Sequence, residues 1–417
     1  MRVRRSQVAG VTDSMGNPSH HSPRPTPHIL RPTHNALRTL TFPAMHLYIH
    51  VPFCARRCSY CDFAIAVRRE VPSASYVDTV LAEWRMWRER EGGPSADTLA
   101  TLYLGGGTPS LLAPDEMDRL VGTILKDAPL LDGAEVTLEA NPDDVTGERA
   151  GDWVRLGINR VSLGAQSFSP AALRWMHRGH RPEQVERAVT HLRGAGIEDV
   201  SLDLIYGLPR DIARDWEDDL SRALALDPTH LSLYGLTVEA HTPLAKWVGR
   251  GRVRPAADEV HAVEFLAAHG ILETAGFDHY EVSNACRPGY RARHNSAYWR
   301  RADYIGLGPS AHSAWGRHRQ WNVRQWEAYR REVVAGGGRQ PVAGAEDLTA
   351  REVRLEEVYL GLRTSDGVPG GHIQESVSGR WRAAGWAEVG LERVRLTPEG
   401  WLRLDALVGE VAEPELN

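Results

Sequence analysis

The chain has 417 residues, of which 42% are hydrophobic and 25% charged, and its formal net charge is −5. This composition is typical of a globular protein with two or three domains, and the small negative charge gives no electrostatic case for a nucleic-acid partner. The sequence has no run of eighteen apolar residues that would predict a membrane span. Three of the four cysteines fall in one short loop, so we expect a reducing, cytoplasmic location and a free thiol at Cys286.

The first 44 residues differ in composition from the rest of the chain. They are rich in Pro, His, Arg and Ser, and contain one acidic residue, Asp13. Such a segment cannot bury enough apolar surface to offset the entropy that is lost on ordering. We therefore predict a disordered N-terminal extension over residues 1–44. Met45 directly precedes the first predicted strand, so a start codon assigned too early is the simplest explanation.

From Met45 onward, apolar runs alternate with amphipathic segments. The apolar runs predict six buried parallel strands, at Leu47–Val51, Leu99–Leu104, Glu135–Glu139, Arg160–Leu163, Val200–Ile205 and His230–Tyr234. The segments between them predict helices, among them Ser75–Arg90, Pro114–Lys126, Pro182–Ala195 and Asp215–Leu226. This alternation predicts repeated βα units around a parallel sheet, but six units are too few for a closed eight-stranded barrel.

The first strand leads into a loop that contains Cys54, Cys58 and Cys61 in a C-x3-C-x2-C spacing. Thiolates select zinc, copper(I) or iron–sulfur clusters over hard cations. A structural zinc site normally needs four protein ligands, for which His50 or Asp62 would have to be the fourth. Three cysteines would instead leave one iron of a four-iron cluster open for chemistry.

The sequence around this loop, YIHVPFC followed by CSYCDF, resembles the cluster loop of radical S-adenosylmethionine (SAM) proteins. More specifically, it is similar to the oxygen-independent coproporphyrinogen III oxidase family and, within it, to the HemW branch of haem chaperones. The oxidases of that family look like C-x3-C-x2-C-x-C, whereas Phe63 stands here in place of the fourth cysteine. The resemblance implies a partial (β/α)6 barrel over residues 45–240. It also implies that the three cysteines hold a [4Fe–4S] cluster to which SAM binds.

The resemblance further implies a SAM site with one motif at each strand end. The residues concerned are Tyr48, Phe63, Gly106, Gly107, Thr108, Glu139, Gln166, Arg178 and Asp203. In the family, the GGGTP backbone receives the SAM amino group, and the glutamate contacts the end of SAM that chelates iron. Gln166 and Asp203 match ribose-binding residues, and Arg178 matches an arginine that pairs with the SAM carboxylate. Singly, each residue is also explained as a turn glycine, a capping group or a core aromatic.

Residues 241–345 are predicted to form a linking region of mixed strand and loop character. Within it, the hexapeptide HNSAYW at residues 294–299 matches the H-N-x-x-Y-W motif that the HemW branch associates with haem. His294 offers an imidazole for axial ligation of iron, and Tyr298 and Trp299 offer flat faces for a macrocycle. A hydrogen-bonded core histidine with packed aromatic neighbours explains the same residues. The following YIGLGPSAHS resembles the family's G-x-G-x-x-S segment beside the active site.

The last part of the chain, residues 346–412, is predicted to form a small winged-helix-like α+β domain. Helices are predicted at Arg351–Arg363 and Gly371–Ala383, and strands at Trp386–Val389 and Val394–Leu396. No dense basic face is evident, so we expect a lid or docking role rather than DNA binding.

Two functions fit this pattern. The first is a haem chaperone that binds haem and delivers it to a haem-accepting protein, with the cluster and SAM in support. The second is an oxidase that converts coproporphyrinogen III to protoporphyrinogen IX by radical oxidative decarboxylation. Both would need an electron donor. Phe63 and the motif at residues 294–299 favour the chaperone, and another radical SAM reaction, such as nucleic-acid modification, is a distant third.

Overall fold

The computed structural model describes residues 45–90, 93–94, 97–336 and 339–412. The disordered extension predicted over residues 1–44 lies outside the described residues. No helix within the described ranges is long and apolar enough to cross a membrane.

Residues 45–235 alternate strands with helices. In chain order the elements are β1 (Met45–Val51), β2 (Phe53–Cys54), β3 (Ala66–Val67), α1 (Ser73–Arg88), β4 (Leu99–Gly106), α2 (Pro114–Asp127), β5 (Leu130–Ala140), α3 (Gly147–Arg155), β6 (Arg160–Gln166), α4 (Pro170–Trp175), α5 (Pro182–Ala195), β7 (Asp199–Tyr206), α6 (Trp216–Ala225) and β8 (His230–Gly235). Strands β1, β4, β5, β6, β7 and β8 pair in parallel in this order. The six predicted parallel strands are therefore confirmed.

The two faces of these strands carry different side chains, which positions the site. On β1, Leu47, Ile49 and Val51 are fully buried in the apolar core beneath the helices. Tyr48 and His50 alternate with them and contact each other on the opposite face, with ring centroids 6.0 Å apart. Because successive side chains of a strand point to opposite faces, the concave side of the sheet is lined by polar and aromatic groups.

Residues 243–347 continue the same sheet at both edges. Their elements are α7 (Pro243–Gly249), α8 (Asp258–Thr274), β9 (Asp278–Glu281), β10 (Asn284–Cys286), α9 (Arg293–Trp299), β11 (Tyr304–Leu307), β12 (His312–Trp315), β13 (His318–Asn322), α10 (Trp326–Ala335) and β14 (Val342–Asp347). The complete order is β14-β13-β12-β11-β1-β4-β5-β6-β7-β8-β10-β9. β11 pairs in parallel with β1, and β12, β13 and β14 follow it as antiparallel strands.

The remaining elements form the C-terminal module. They are α11 (Ala350–Leu362), β15 (Val368–Pro369), α12 (Glu375–Ala383), β16 (Ala387–Val389), β17 (Arg393–Leu396), α13 (Pro398–Trp401) and α14 (Leu404–Ala412). Both predicted strands are present, as β16 and β17, but a third strand was missed, because the short β15 pairs with β17 to give a three-stranded sheet. The second helix begins at Glu375 because Gly370–His372 forms a separate 3-10 turn. Helices and a small antiparallel sheet agree with the predicted winged-helix-like fold. The domain boundaries at residues 240/241 and 345/346 remain predictions.

The C-terminal module is joined to the barrel by a buried ion pair. The Glu281 carboxylate, at the end of β9, is 0% exposed and lies 3.0 Å from Nε of Arg363. Burial raises the pKa of Glu281, and the Arg363 charge opposes that shift. Phe265 of α8 also belongs to the apolar core of this module.

Candidate functional site

The carboxyl ends of the parallel strands surround a cavity of about 560 Å³, which we call the strand-end cavity. Eleven of the residues predicted for the cluster and SAM line it: Cys54, Cys58, Cys61, Phe63, Gly106, Gly107, Thr108, Glu139, Gln166, Arg178 and Asp203. They come from the loop after β1 and from the ends of β4, β5, β6 and β7, together with the segment before α5. The topology therefore brings these residues together around one space.

The three cysteines are unpaired and partly exposed to this cavity. The Thr108 hydroxyl donates to Sγ of Cys54 at 3.5 Å, and Nη1 of Arg178 lies 3.6 Å from Sγ of Cys58. Burial raises the pKa of Cys54 to about 11, so a metal would have to displace the thiol proton. Among the described residues, no three His, Cys, Asp or Glu side chains are grouped so as to hold a single metal ion. Three thiols at one cavity are soft donors of the kind that iron–sulfur clusters use.

Asp62 and His50, the two candidates for a fourth zinc ligand, differ in location and in hydrogen bonding. Asp62 lines the strand-end cavity. In His50, Nδ1 lies 3.0 Å from the Tyr48 hydroxyl and Nε2 lies 3.1 Å from the Ala64 carbonyl oxygen. Both ring nitrogens of His50 are thus engaged with the protein, and burial lowers its pKa to about 4.

The glycine run after β4 is required by close packing against the cluster loop. A Cβ atom on Gly107 would lie 2.7 Å from the Phe53 carbonyl oxygen and 3.0 Å from Sγ of Cys54. Gly106 has a φ of 112°, and a Cβ there would lie 2.6 Å from Nδ1 of His50. A side chain at either position would displace the cluster loop or the histidine beneath it.

Two half-buried carboxylates face the strand-end cavity. Glu139 accepts hydrogen bonds from the Tyr103 hydroxyl at 2.8 Å and from the Gly106 N–H at 2.9 Å. Asp203 accepts one from the Ser162 hydroxyl at 2.9 Å. Burial raises the pKa of Glu139 to about 7 and that of Asp203 to about 6. A cationic ligand would offset this desolvation and favour the ionised carboxylates.

Gln166 and Arg178 each carry polar atoms without a partner. The register of β6 and β7 shifts between Leu163 and Gln166, and Gln166 has a φ of 65°. Its side-chain amide has no hydrogen bond to any described residue. Nη2 of Arg178 donates to Oδ1 of Asn141 at 2.6 Å and to the Gly164 carbonyl at 2.8 Å, while its buried Nε has no partner in the described chain. A bulge, a strained backbone and unsatisfied donors together are typical of a ligand site.

The sequence analysis missed Asn141 as a member of this site. Its amide oxygen accepts from Arg178, and its Nδ2 lies 3.3 Å from the Thr108 hydroxyl. Asn141 therefore connects the GGGTP segment to the arginine. Its position directly after β5, two residues beyond Glu139, is the signal that could have identified it.

A second cavity, of about 550 Å³, lies beside β11, β12 and β13, and we call it the aromatic cavity. Tyr298 and Trp299 line it, as do Tyr48 and His50. Tyr48, which was predicted beside the cluster, is thus on the wall of this cavity and not among the residues that line the strand-end cavity. Since the His50 ring also touches Gly106, a single layer of side chains separates the two cavities.

His294 does not line either cavity and is 1% exposed. Its Nδ1 lies 2.6 Å from the Thr101 hydroxyl and its Nε2 lies 2.7 Å from the Tyr298 hydroxyl. Both oxygens of Glu135 accept N–H groups at the start of α9, at 2.7 and 3.0 Å. The motif helix therefore closes the amino-terminal end of the barrel. In this arrangement neither ring nitrogen of His294 is free to bind iron. His294 is therefore a hydrogen-bonded core histidine, and both of its partners are side-chain hydroxyls.

Comparison with known proteins identifies the superfamily and the fold of this chain. A model of the radical SAM superfamily matches residues 48–223. The fold is similar to that of the coproporphyrinogen III oxidase HemN from Escherichia coli, with a TM-score of 0.74 at 20% identity over 89% of this chain and 90% of that chain. The protein therefore has a radical SAM fold, and membership of that superfamily implies a [4Fe–4S] cluster and SAM.

Named relatives identify the family within the radical SAM superfamily. A haem chaperone HemW from Mycobacterium tuberculosis is 37% identical over 365 residues, which cover 87% of this chain and 93% of that protein. The haem chaperone HemW from Escherichia coli K12 is 39% identical over 277 residues, 65% of this chain and 70% of that protein. The chain belongs to the HemW family of radical SAM proteins, and the resemblance seen in the cluster loop is confirmed.

Proposed function

We propose that this protein is a haem chaperone that binds haem and passes it to a haem-accepting protein. The observation that carries the proposal is the similarity to relatives named haem chaperone HemW, which extends over 93% of one of them at 37% identity. Phe63 supports it, because its side chain is 60% exposed on the cluster loop and a phenyl ring cannot bind iron where the oxidases have a cysteine. The unpaired cysteines of the described chain agree with a reducing cytoplasm.

We further propose that Cys54, Cys58 and Cys61 hold the [4Fe–4S] cluster in the strand-end cavity. When bound, the cluster supplies the electron that cleaves SAM reductively. Thr108 and Arg178 donate to Sγ of Cys54 and Sγ of Cys58, and these contacts orient two of the three sulfurs. The narrow fit of Gly107 against Cys54 keeps the loop close to the strand ends.

The same cavity has groups suited to each part of SAM. The SAM ammonium fits beside Glu139, whose ionised form gains from a nearby cation. The unpartnered Nε of Arg178 is a donor for the SAM carboxylate. Asp203 and the free amide of Gln166 are suited to the two ribose hydroxyls.

For haem, we propose that Tyr298 and Trp299 form part of the binding surface on the wall of the aromatic cavity. A volume of about 550 Å³ falls in the range of pockets for molecules of this size. The hydrogen bond between His294 and Tyr298 holds the tyrosine in place. His294 thus contributes to haem binding through Tyr298 and not through iron.

The test uses the full chain, reconstituted with iron and sulfide under anaerobic conditions. Titration with haem is expected to give a stoichiometric complex with a shifted Soret band, and the bound haem should move to a haem-free cytochrome. Coproporphyrinogen III, supplied with SAM and a reductant, should remain unchanged. Formation of protoporphyrinogen IX would overturn the chaperone proposal in favour of the oxidase.

A further inference from the structure

A histidine can bind haem iron only through a ring nitrogen that is not already bonded within the protein. His294 has no such nitrogen, but other histidines lie near the motif helix. Three of them line the aromatic cavity: His50, His312 and His318.

Their ring nitrogens differ in availability. Both nitrogens of His50 are engaged, by Tyr48 and by the Ala64 carbonyl. Nδ1 of His318 lies 2.9 Å from Oδ1 of Asp347. The ring of His312, in contrast, has no hydrogen bond to any residue within the described ranges, and His312 is exposed. Among the three histidines of this cavity, His312 is therefore the one with both ring nitrogens available to a ligand.

The orientation of His312 is set by the neighbouring strand. His312 at the start of β12 is paired with Trp321 of β13. The two rings stack with centroids 5.9 Å apart and an interplanar angle of 29°. One face of the imidazole is therefore supported by the indole, and its edge remains open. Such support pre-orders a ligand at little entropic cost.

The walls of the aromatic cavity suit a flat macrocycle with acidic substituents. Tyr298 and Tyr304 contact each other edge to face at 4.7 Å, and Trp315 also lines the cavity. Arg301 and Arg319 also line the cavity and are both held by Glu356. Each guanidinium also has a partner other than Glu356: Arg301 donates to the Gly316 carbonyl and lies 3.8 Å from Glu357, and Arg319 lies 3.5 Å from Glu346. The remaining N–H groups of the two arginines are placed to meet propionate groups.

We propose that haem binds in the aromatic cavity with His312 as an axial ligand of the iron, an inference that rests on the haem-chaperone function proposed above. Bound there, haem would be separated from the strand-end cavity by the layer that contains Tyr48 and His50.

The test compares His312→Ala with the matched variant His318→Ala in the full chain, by haem titration with absorption and EPR spectra. His312→Ala is expected to lose the signature of histidine-bound ferric haem and at least tenfold in affinity, and added imidazole should restore the signature. His318→Ala should retain both. Because His312 is exposed, the thermal midpoint of His312→Ala without haem should equal that of the wild type.

The possible failures are distinguishable. If the wild-type protein does not bind haem, the proposed chaperone function fails. If the wild type binds haem and His312→Ala gives the same spectrum and affinity, the chaperone function stands and the assignment of His312 is wrong. Loss of the spectrum in His294→Ala, with no change in His312→Ala, would also overturn the assignment.

Discussion

The motif residues at the two ends of the barrel differ in how completely they are hydrogen-bonded within the protein. At the carboxyl end, the buried Nε of Arg178 has no partner in the described chain, and Gln166 lies in a left-handed backbone conformation. At the amino end, both nitrogens of His294 and both oxygens of Glu135 are hydrogen-bonded. An unsatisfied buried group costs about 1–3 kcal/mol. Nε of Arg160, at the start of β6, and Nε1 of Trp299, on α9, are also buried without a hydrogen-bond partner in the described chain, so the contrast concerns the motif residues named here and not every polar group of each end.

The largest effect is expected at the cluster. Cys58→Ala removes one of three sulfurs, so the anaerobically reconstituted protein should lose its brown iron–sulfur absorption. Cys286→Ala is the control, because Cys286 is a buried free thiol on β10, outside the strand-end cavity. Iron and sulfide contents equal to wild type in Cys58→Ala would refute the ligand assignment.

A smaller effect is expected in the SAM site. Gln166→Asn keeps a residue type that tolerates the left-handed backbone at φ 65° but shortens the amide by one methylene group. Loss of hydrogen bonds to the ligand should weaken SAM binding by about tenfold. Calorimetry on the reconstituted protein measures this affinity. Without SAM, the thermal midpoint should not change, since the Gln166 amide has no partner in the described residues.

An unchanged SAM affinity in Gln166→Asn would contradict the role of Gln166. A lower thermal midpoint without SAM would instead show that the amide supports the fold, and the contrast between the two ends would be weaker.

The smallest effect is expected at the amino end. Tyr298→Phe leaves Nε2 of His294 buried without its partner, so the free energy of unfolding should fall by about 1–2 kcal/mol with no change in SAM affinity. Tyr359→Phe is the control, because the Tyr359 hydroxyl has no hydrogen bond in the described chain. Denaturant unfolding of both variants measures the difference. Equal stability of Tyr298→Phe and wild type would remove the structural role of this hydrogen bond.

Much of the barrel could be predicted because alternate residues of its strands are apolar and fully buried, as Leu47, Ile49 and Val51 are. The edge strands could not. β13, with the sequence HRQWN, is polar and short, and its place in the sheet depends on partners that the local sequence does not reveal. The two-residue β15 was missed for the same reason.

The strand-end residues were reached through motifs, since Glu139, Gln166 and Asp203 each follow a recognisable apolar run. The state of His294 was not accessible in this way. Its partner Thr101 lies 193 residues away in the chain, and only the folded sheet shows that both ring nitrogens are engaged. The stacking of His312 on Trp321 likewise depends on the register of β12 and β13.

The ion pair between Glu281 and Arg363 limits where the chain can be truncated. A chain that stopped before α11 would leave the Glu281 carboxylate without its guanidinium, and would uncover Phe265 on α8. Such a truncated product should aggregate or be degraded. We therefore expect the barrel to need its C-terminal module in order to fold. Insertions should be tolerated at the exposed turn around Leu391.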